Sequence, residues 1–132
     1  MNGCKVIIGV DRIPERLAIS KACGATHTIN TLDSDLSLEE VVKSVTGGNG
    51  STITVDTTGN VNLIRMGMDF TADRGQMILL GVAPMDATLA VPIVAFMQVS
   101  DLRMYHQIEK LKFCRQGNSC AVVLKEILCH RR

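Results

Sequence analysis

The run Lys5-Val6-Ile7-Ile8-Gly9-Val10-Asp11 constrains this chain more than any other stretch. Four β-branched residues in so short an apolar run, closed by one carboxylate, describe a parallel strand buried on both faces and ending in an acid. A helix should follow at once. Pro14 sits where its missing N–H costs nothing, and Glu15 lies at the positive end of the helix dipole.

The same alternation continues along the chain. The first helix is expected from Pro14 to Cys23, with Leu17, Ala18 and Ala22 turned inward and Gly24 as a left-handed cap. Ala25-Thr26-His27-Thr28-Ile29-Asn30 reads as a brief strand, and residues 31–36 as a polar loop. Ser37-Leu38-Glu39-Glu40 is a capping-box pattern, and Leu38, Val41, Val42 and Val45 after it keep the 3.6-residue period. Gly47-Gly48-Asn49-Gly50 stops that helix. Ser51 to Val55 then reads as a strand ending at Asp56-Thr57-Thr58-Gly59, and Val61 to Phe70 as a helix with a broad apolar face. Asp73-Arg74-Gly75 is expected to turn the chain into a buried strand, Gln76 to Leu80, that closes on Gly81-Val82-Ala83-Pro84. Strand and helix in strict alternation indicate an open parallel α/β sheet.

Past Pro84 the pattern weakens. Ala87 to Val91 suggests an extended piece, and Pro92 a helical turn to Met97. The i, i+3 rhythm of Leu102, Tyr105, Ile108 and Leu111 predicts a helix from Asp101 to Phe113. Ala121 to Leu128 is expected to form a last helix, and no sixth strand stands out.

Composition excludes several function classes. Among 132 residues the net charge is +1 with both signs mixed, so there is no electrostatic footprint for nucleic acid or anionic lipid. The run Leu89 to Met97, interrupted by Pro92, is too short to span a bilayer. The N-terminus has no sustained apolar segment of the signal-peptide kind, which makes a cytoplasmic location the expectation. Five cysteines at irregular spacing (Cys4, Cys23, Cys114, Cys120, Cys129) fit reduced thiols better than a disulfide framework. Cys114, Cys120, Cys129 and His130 match no familiar zinc spacing. His27 reads as a core or edge residue, His106 and His130 as solvated ones.

An acid at the tip of the second strand of a dinucleotide-binding fold hydrogen-bonds the adenosine ribose. It normally lies about 20 residues after a glycine-rich phosphate loop. Here that acid is residue 11, which would put the loop and the first strand before Met1.

Several blocks, in this order, then resemble one family. They are Gly3 to Asp11 with Pro14-Glu15-Arg16-Leu17, Cys23 to Asn30, Val55-Asp56-Thr57-Thr58-Gly59, Gly75 to Val82, and Val91 to Met97. Together they resemble the coenzyme-binding domain of the medium-chain, zinc-dependent alcohol dehydrogenase superfamily, most of all its aryl- and benzyl-alcohol type. The resemblance implies an α/β fold: an incomplete Rossmann-type parallel sheet lacking the first strand and phosphate loop, with a helical C-terminal tail. It divides the chain into a partial NAD-binding domain, 1–97, and a divergent tail, 98–132.

Carried over by position, Asp11 would hold the adenosine ribose and favour NAD over NADP, with Arg16 beside it. Thr57 and Thr58 would line the cofactor cleft, and Leu80, Gly81 and Val82 would meet the nicotinamide. The family reaction is hydride transfer between an alcohol or aldehyde carbon held on zinc and the nicotinamide. No residue here matches the zinc ligands, so no catalytic residue and no metal site is expected, and the chain alone should not catalyse. The alternative is a non-enzymatic remnant or interaction fragment of a dehydrogenase subunit. From the residues alone, Asp11 serves equally as an ordinary acid between strand and helix, and Asp56 as a turn acid.

In the dinucleotide fold the first strand is the centre of the sheet. Its loss should either bring the flanking strands together or leave an apolar slot. Open strand edges would then favour association with a second copy or with a full-length dehydrogenase subunit.

Overall fold

The computed structural model describes residues 4–33, 37–94, 101–104 and 119–124. Among these, nine elements succeed one another: β1 Cys4–Asp11, α1 Pro14–Ala22, β2 His27–Asn30, α2 Leu38–Val45, β3 Ser51–Asp56, α3 Val61–Phe70, β4 Thr71–Leu79, β5 Asp101–Met104 and β6 Ser119–Leu124. The six strands form one parallel sheet in the order β2-β1-β6-β3-β4-β5. Among the described residues no helix is long and apolar enough to cross a membrane.

β1 forms where the sequence places it, with Ile8 and Val10 buried on one face. They join Ile29, Leu38, Val42 and Phe70 in a cluster that also draws in Val41, Val45, Leu63 and Met66. That cluster puts α2 and α3 on one side of the sheet. Gly9, between Ile8 and Val10, faces the other way onto α1, where a Cβ would stand 2.1 Å from Ser20 Oγ. This notch sets how α1 lies. Leu17 and Ser20 are its buried residues, whereas Ala18 and Ala22, expected inward, are exposed. The helix has seated its small hydroxyl against a glycine backbone instead of its alanines against a side chain.

α1 ends at Ala22, with Gly24 at φ 105° just beyond it. β2 is shorter than expected, beginning at His27. Ala25 instead donates its N–H back to Ser20 O, and Thr26 Oγ1 accepts the Ile7 amide at 2.9 Å in place of a ladder bond. The capping box of α2 is present in full: Ser37 Oγ accepts the Glu40 amide, and the Glu40 carboxylate accepts the Ser37 amide at 2.8 Å. These bonds, the Ser37 side chain first, hold the Glu40 carboxyl below its usual value.

α3 runs into β4 without a loop. The expected turn at Asp73-Arg74-Gly75 lies inside β4, where the register with β3 jumps from Ser51↔Thr71 to Ile53↔Gln76 and Arg74 adopts φ 63°. Three buried hydroxyls stitch this corner together. Ser51 Oγ lies 2.6 Å from Thr54 Oγ1, Thr54 Oγ1 lies 2.7 Å from Thr71 Oγ1, and the Thr71 hydroxyl donates to Gly67 O at 2.6 Å. Polar side chains so deeply buried remain tolerable because each is hydrogen-bonded.

Beyond residue 97 the structure departs from expectation. Residues 101–104 form strand β5 beside β4, where a helix and no sixth strand were expected. Residues 119–124 form strand β6, not the start of a helix. Short apolar runs such as Ala121-Val122-Val123-Leu124 fit a buried strand as well as a helix by periodicity, and pairing decides between them. The rest of the expected tail helices, 105–113 and 125–128, lies outside the described residues.

The central position is neither open nor closed up. β6 fills it, pairing with β1 from Cys4↔Ser119 to Val10↔Leu124 and with β3 from Ile53↔Ala121 to Asp56↔Leu124.

Candidate functional site

The register brings the C-terminal ends of four strands to one edge. Val10 of β1, Leu124 of β6, Asp56 of β3 and Leu79 of β4 lie level, and Asp11 stands one residue further. The chain leaves β1 toward β2 in one direction and β3 toward β4 and β5 in the other. A crevice outside the strand ends at such a reversal is where open α/β sheets bind ligands.

Asp11 sits on one wall of that crevice. Its Oδ1 accepts the amides of Arg12 at 2.7 Å and Ile13 at 3.0 Å, so the carboxylate shapes the turn into α1, whose N-cap Ile13 offers no side chain for the purpose. Its Oδ2 faces Arg16 Nη1 at 4.0 Å. Across β6, roughly 10 Å away at ordinary strand spacing, Asp56 is fully buried. Its Oδ1 accepts the Thr58 amide at 3.2 Å and the Thr58 hydroxyl at 2.7 Å, and its Oδ2 accepts the Gly59 amide at 3.0 Å. Its carbonyl accepts the amides of Leu80 and Gly81 at 2.7 and 3.2 Å.

Asp56 therefore clamps the turn after β3 onto the strand end after β4. The two backbones touch: a Cβ on Gly81 would stand 2.1 Å from Gly59 N, and one on Gly59, at φ 68°, would stand 2.4 Å from Val82 O. No motif in the sequence announced this contact. Glycines at both turns were its one trace.

The sequence-predicted site residues thus divide into two groups. Asp11 and Arg16 meet on the β1 side. Thr57, Thr58, Leu80, Gly81 and Val82 meet on the β3–β4 side, with Thr57 half-buried and Thr58 and Val82 exposed. The amides of Leu80 and Gly81 are already engaged by Asp56. His27, expected in the core or at an edge, is exposed, its Nδ1 2.9 Å from Thr26 Oγ1. A surface recess of about 260 Å³ lined by Thr28, Ile29, Asn30, Asp33 and Val41 flanks the β1 wall. It falls below the roughly 300–1,000 Å³ of small-molecule pockets. Among the described residues no group of three or more His, Cys, Asp or Glu side chains could hold a metal ion, so these residues do not supply a zinc site.

A parallel sheet with helices on both faces, a reversal of strand order and an acid at the end of β1 define a Rossmann-like coenzyme-binding domain. Its sequence matches the family model described as "Zinc-binding dehydrogenase" over residues 1–113, and the chain belongs to that family. It is 33% identical over 123 residues to a "Probable alcohol dehydrogenase" of a Pseudomonas species, covering 92% of this chain and 35% of that protein. It is 29% identical over 89 residues to the erythritol/L-threitol dehydrogenase of Mycolicibacterium smegmatis, covering 67% of this chain and 24% of that protein. Among solved structures, benzyl alcohol dehydrogenase from Acinetobacter calcoaceticus superposes with a TM-score of 0.67 at 26% identity, over 76% of this chain and 27% of that one. The chain thus spans about a quarter to a third of the length of these relatives.

Proposed function

We propose that the chain acts as the coenzyme-binding part of a zinc-type, NAD-dependent alcohol dehydrogenase and is not catalytically competent alone. Asp11 receives the adenosine ribose, and Arg16 steadies it. Thr57, Thr58 and the backbone of Leu80, Gly81 and Val82 line the nicotinamide side. NAD, when bound, supplies the hydride acceptor of the family reaction.

The observation that carries this reading is the state of Asp11. One oxygen is spent on the turn into α1, while the other lies 4.0 Å from Arg16 Nη1, on a side chain that keeps 9% of its surface exposed. A ribose diol can donate to that second oxygen. A 2′-phosphate there would meet a carboxylate, which favours NAD over NADP despite the neighbouring Arg12. The reading carries a cytoplasmic location, supported by the free thiols of Cys4 and Cys23.

Affinity should be low. The strongest anchor for a dinucleotide is a glycine loop whose amides and helix N-terminus hold the pyrophosphate, and the sequence contains no Gly-x-Gly-x-x-Gly. NAD titrated into labelled protein should shift the amides around Asp11 and Arg16 with a millimolar dissociation constant, about 4 kcal/mol. Asp11→Asn should abolish those shifts and leave the β3–β4 resonances in place. A low-micromolar constant, or shifts that survive Asp11→Asn, would contradict this reading. Alcohol-dependent NADH production by the chain alone would contradict the claim that it cannot catalyse.

A further inference from the structure

Without β6, two facing edges would remain: β1 over its Cys4 to Val10 pairings and β3 over Ile53 to Asp56. Their backbone N–H and C=O groups would lose partners in an apolar setting, and such an edge is a template for another strand. The gap also has a floor. Ile8 and Val10 of β1 share one buried cluster with Leu38 and Val42 of α2 and Phe70 of α3, and α2 lies against α3. The helices therefore tie the two halves together on that face, independently of β6.

We propose that this gap is a strand-acceptor groove, and that it takes residues 119–124 of a second copy whenever the chain's own segment cannot reach it. Trading an identical terminal strand reproduces every pairing already seen, which is why exchange of this kind is a low-cost route to dimers. The sole connection to β6 is residues 105–118. Met104 and Leu124 lie level, three strand spacings apart, and Ser119 lies five residues back along β6. At about 4.8 Å per strand and 3.3 Å per residue, the connection must cover at least about 22 Å. Fourteen residues reach about 50 Å and close easily within one chain. Self-closure then competes at an effective concentration on the order of millimolar, so the full chain should be monomeric at micromolar concentration.

The native cysteines report which chain supplies the strand. Cys4 pairs with Ser119, and Cys120 with Val6. The register shifts between Cys4 and Val6, which puts the Cα atoms of Cys4 and Cys120 about 6–8 Å apart on neighbouring strands, within the span of a short bismaleimide. With Cys23, Cys114 and Cys129 changed to Ser, a short bismaleimide should link Cys4 to Cys120 within one full-length chain. Deleting residues 106–115 leaves a connection that reaches only about 18 Å. That variant should be a dimer by light scattering, with the link between chains. In a second arm, full-length copies carrying only Cys4 and copies carrying only Cys120 are refolded together at about 1 mM, near the effective concentration; they should give an interchain link. A shortened chain that folds as a monomer overturns the proposal. A link formed within one chain of the shortened variant, in place of one between chains, does so too. If the shortened chain precipitates, the mixed pair decides alone, and no interchain link overturns the groove.

Discussion

Val10-Asp11 and Val55-Asp56 are the same dipeptide closing a strand, one on each side of β6 and one residue out of step, and they have different fates. Asp56 is buried, with both oxygens and its carbonyl used to bind the turn after β3 to the end of β4. Asp11 spends one oxygen on local amides and turns the other to a half-exposed arginine. The difference lies in the residues next in the chain after each acid. After Asp56, Thr58 supplies a hydroxyl and Gly59 a left-handed amide that converge on the carboxylate. After Asp11, Pro14 starts a helix with no N–H of its own, and two amides converge on a single oxygen. An acid at a strand end can serve a ligand only when its own turn leaves an oxygen over.

Four substitutions put that contrast to the test. Gly81→Ala should have the largest effect, because its Cβ would strike the Gly59 backbone at 2.1 Å and neither side is a flexible side chain. A loss of about 3 kcal/mol is expected, at the upper end for overpacking, read as a fall in the urea midpoint. Asp56→Ala should cost about 2–3 kcal/mol, since it leaves the buried Gly59 amide without its acceptor and removes hydrogen bonds to a charged group. A midpoint unchanged by Asp56→Ala would mean that the two turns hold together without the clamp.

Asp11→Ala should cost stability by only about 1 kcal/mol, the scale of a lost helix-start acceptor, while removing the NAD-dependent shifts near Arg16. A larger loss of stability than for Asp56→Ala would invert the comparison. Ser37→Ala is the smallest of the four. The Ser37 bonds hold the Glu40 carboxyl below 4.5, so their contribution is present above that pH and fades as pH falls through the folded value. In Ser37→Ala the Glu40 titration followed by NMR should move upward toward 4.5, and the stability that α2 loses on acidification through that range should shrink.

Much of the first three-quarters of the fold was legible in the residues. Pro14, the Ser37–Glu40 box and the acids ending β1 and β3 each act locally, and most elements there form within a residue or two of their expected places. What escaped depends on partners distant in sequence. Ala18 and Ala22 look like an inward face until Gly9 offers a notch that Ser20 fits. Asp101–Met104 and Ser119–Leu124 carry too little local signal to choose between helix and strand, and β4, β1 and β3 choose for them. The site was half legible. The position of Asp11 followed from its strand and helix, whereas the touching backbones of Gly59 and Gly81 followed from nothing local.

The place of β6 also has a consequence for how the molecule is made. Its pairing joins Cys4 to Ser119, nearly the whole chain apart, in the middle of the sheet. Long-range parallel pairings form late because loop closure precedes their reward. During synthesis every other described strand is complete before residues 119–124 leave the ribosome, so the nascent chain carries two unfinished sheet halves until then. Truncation before residue 119, or a stall there, should leave a product whose exposed edges aggregate or call on a chaperone, even though each half has its own helices in place.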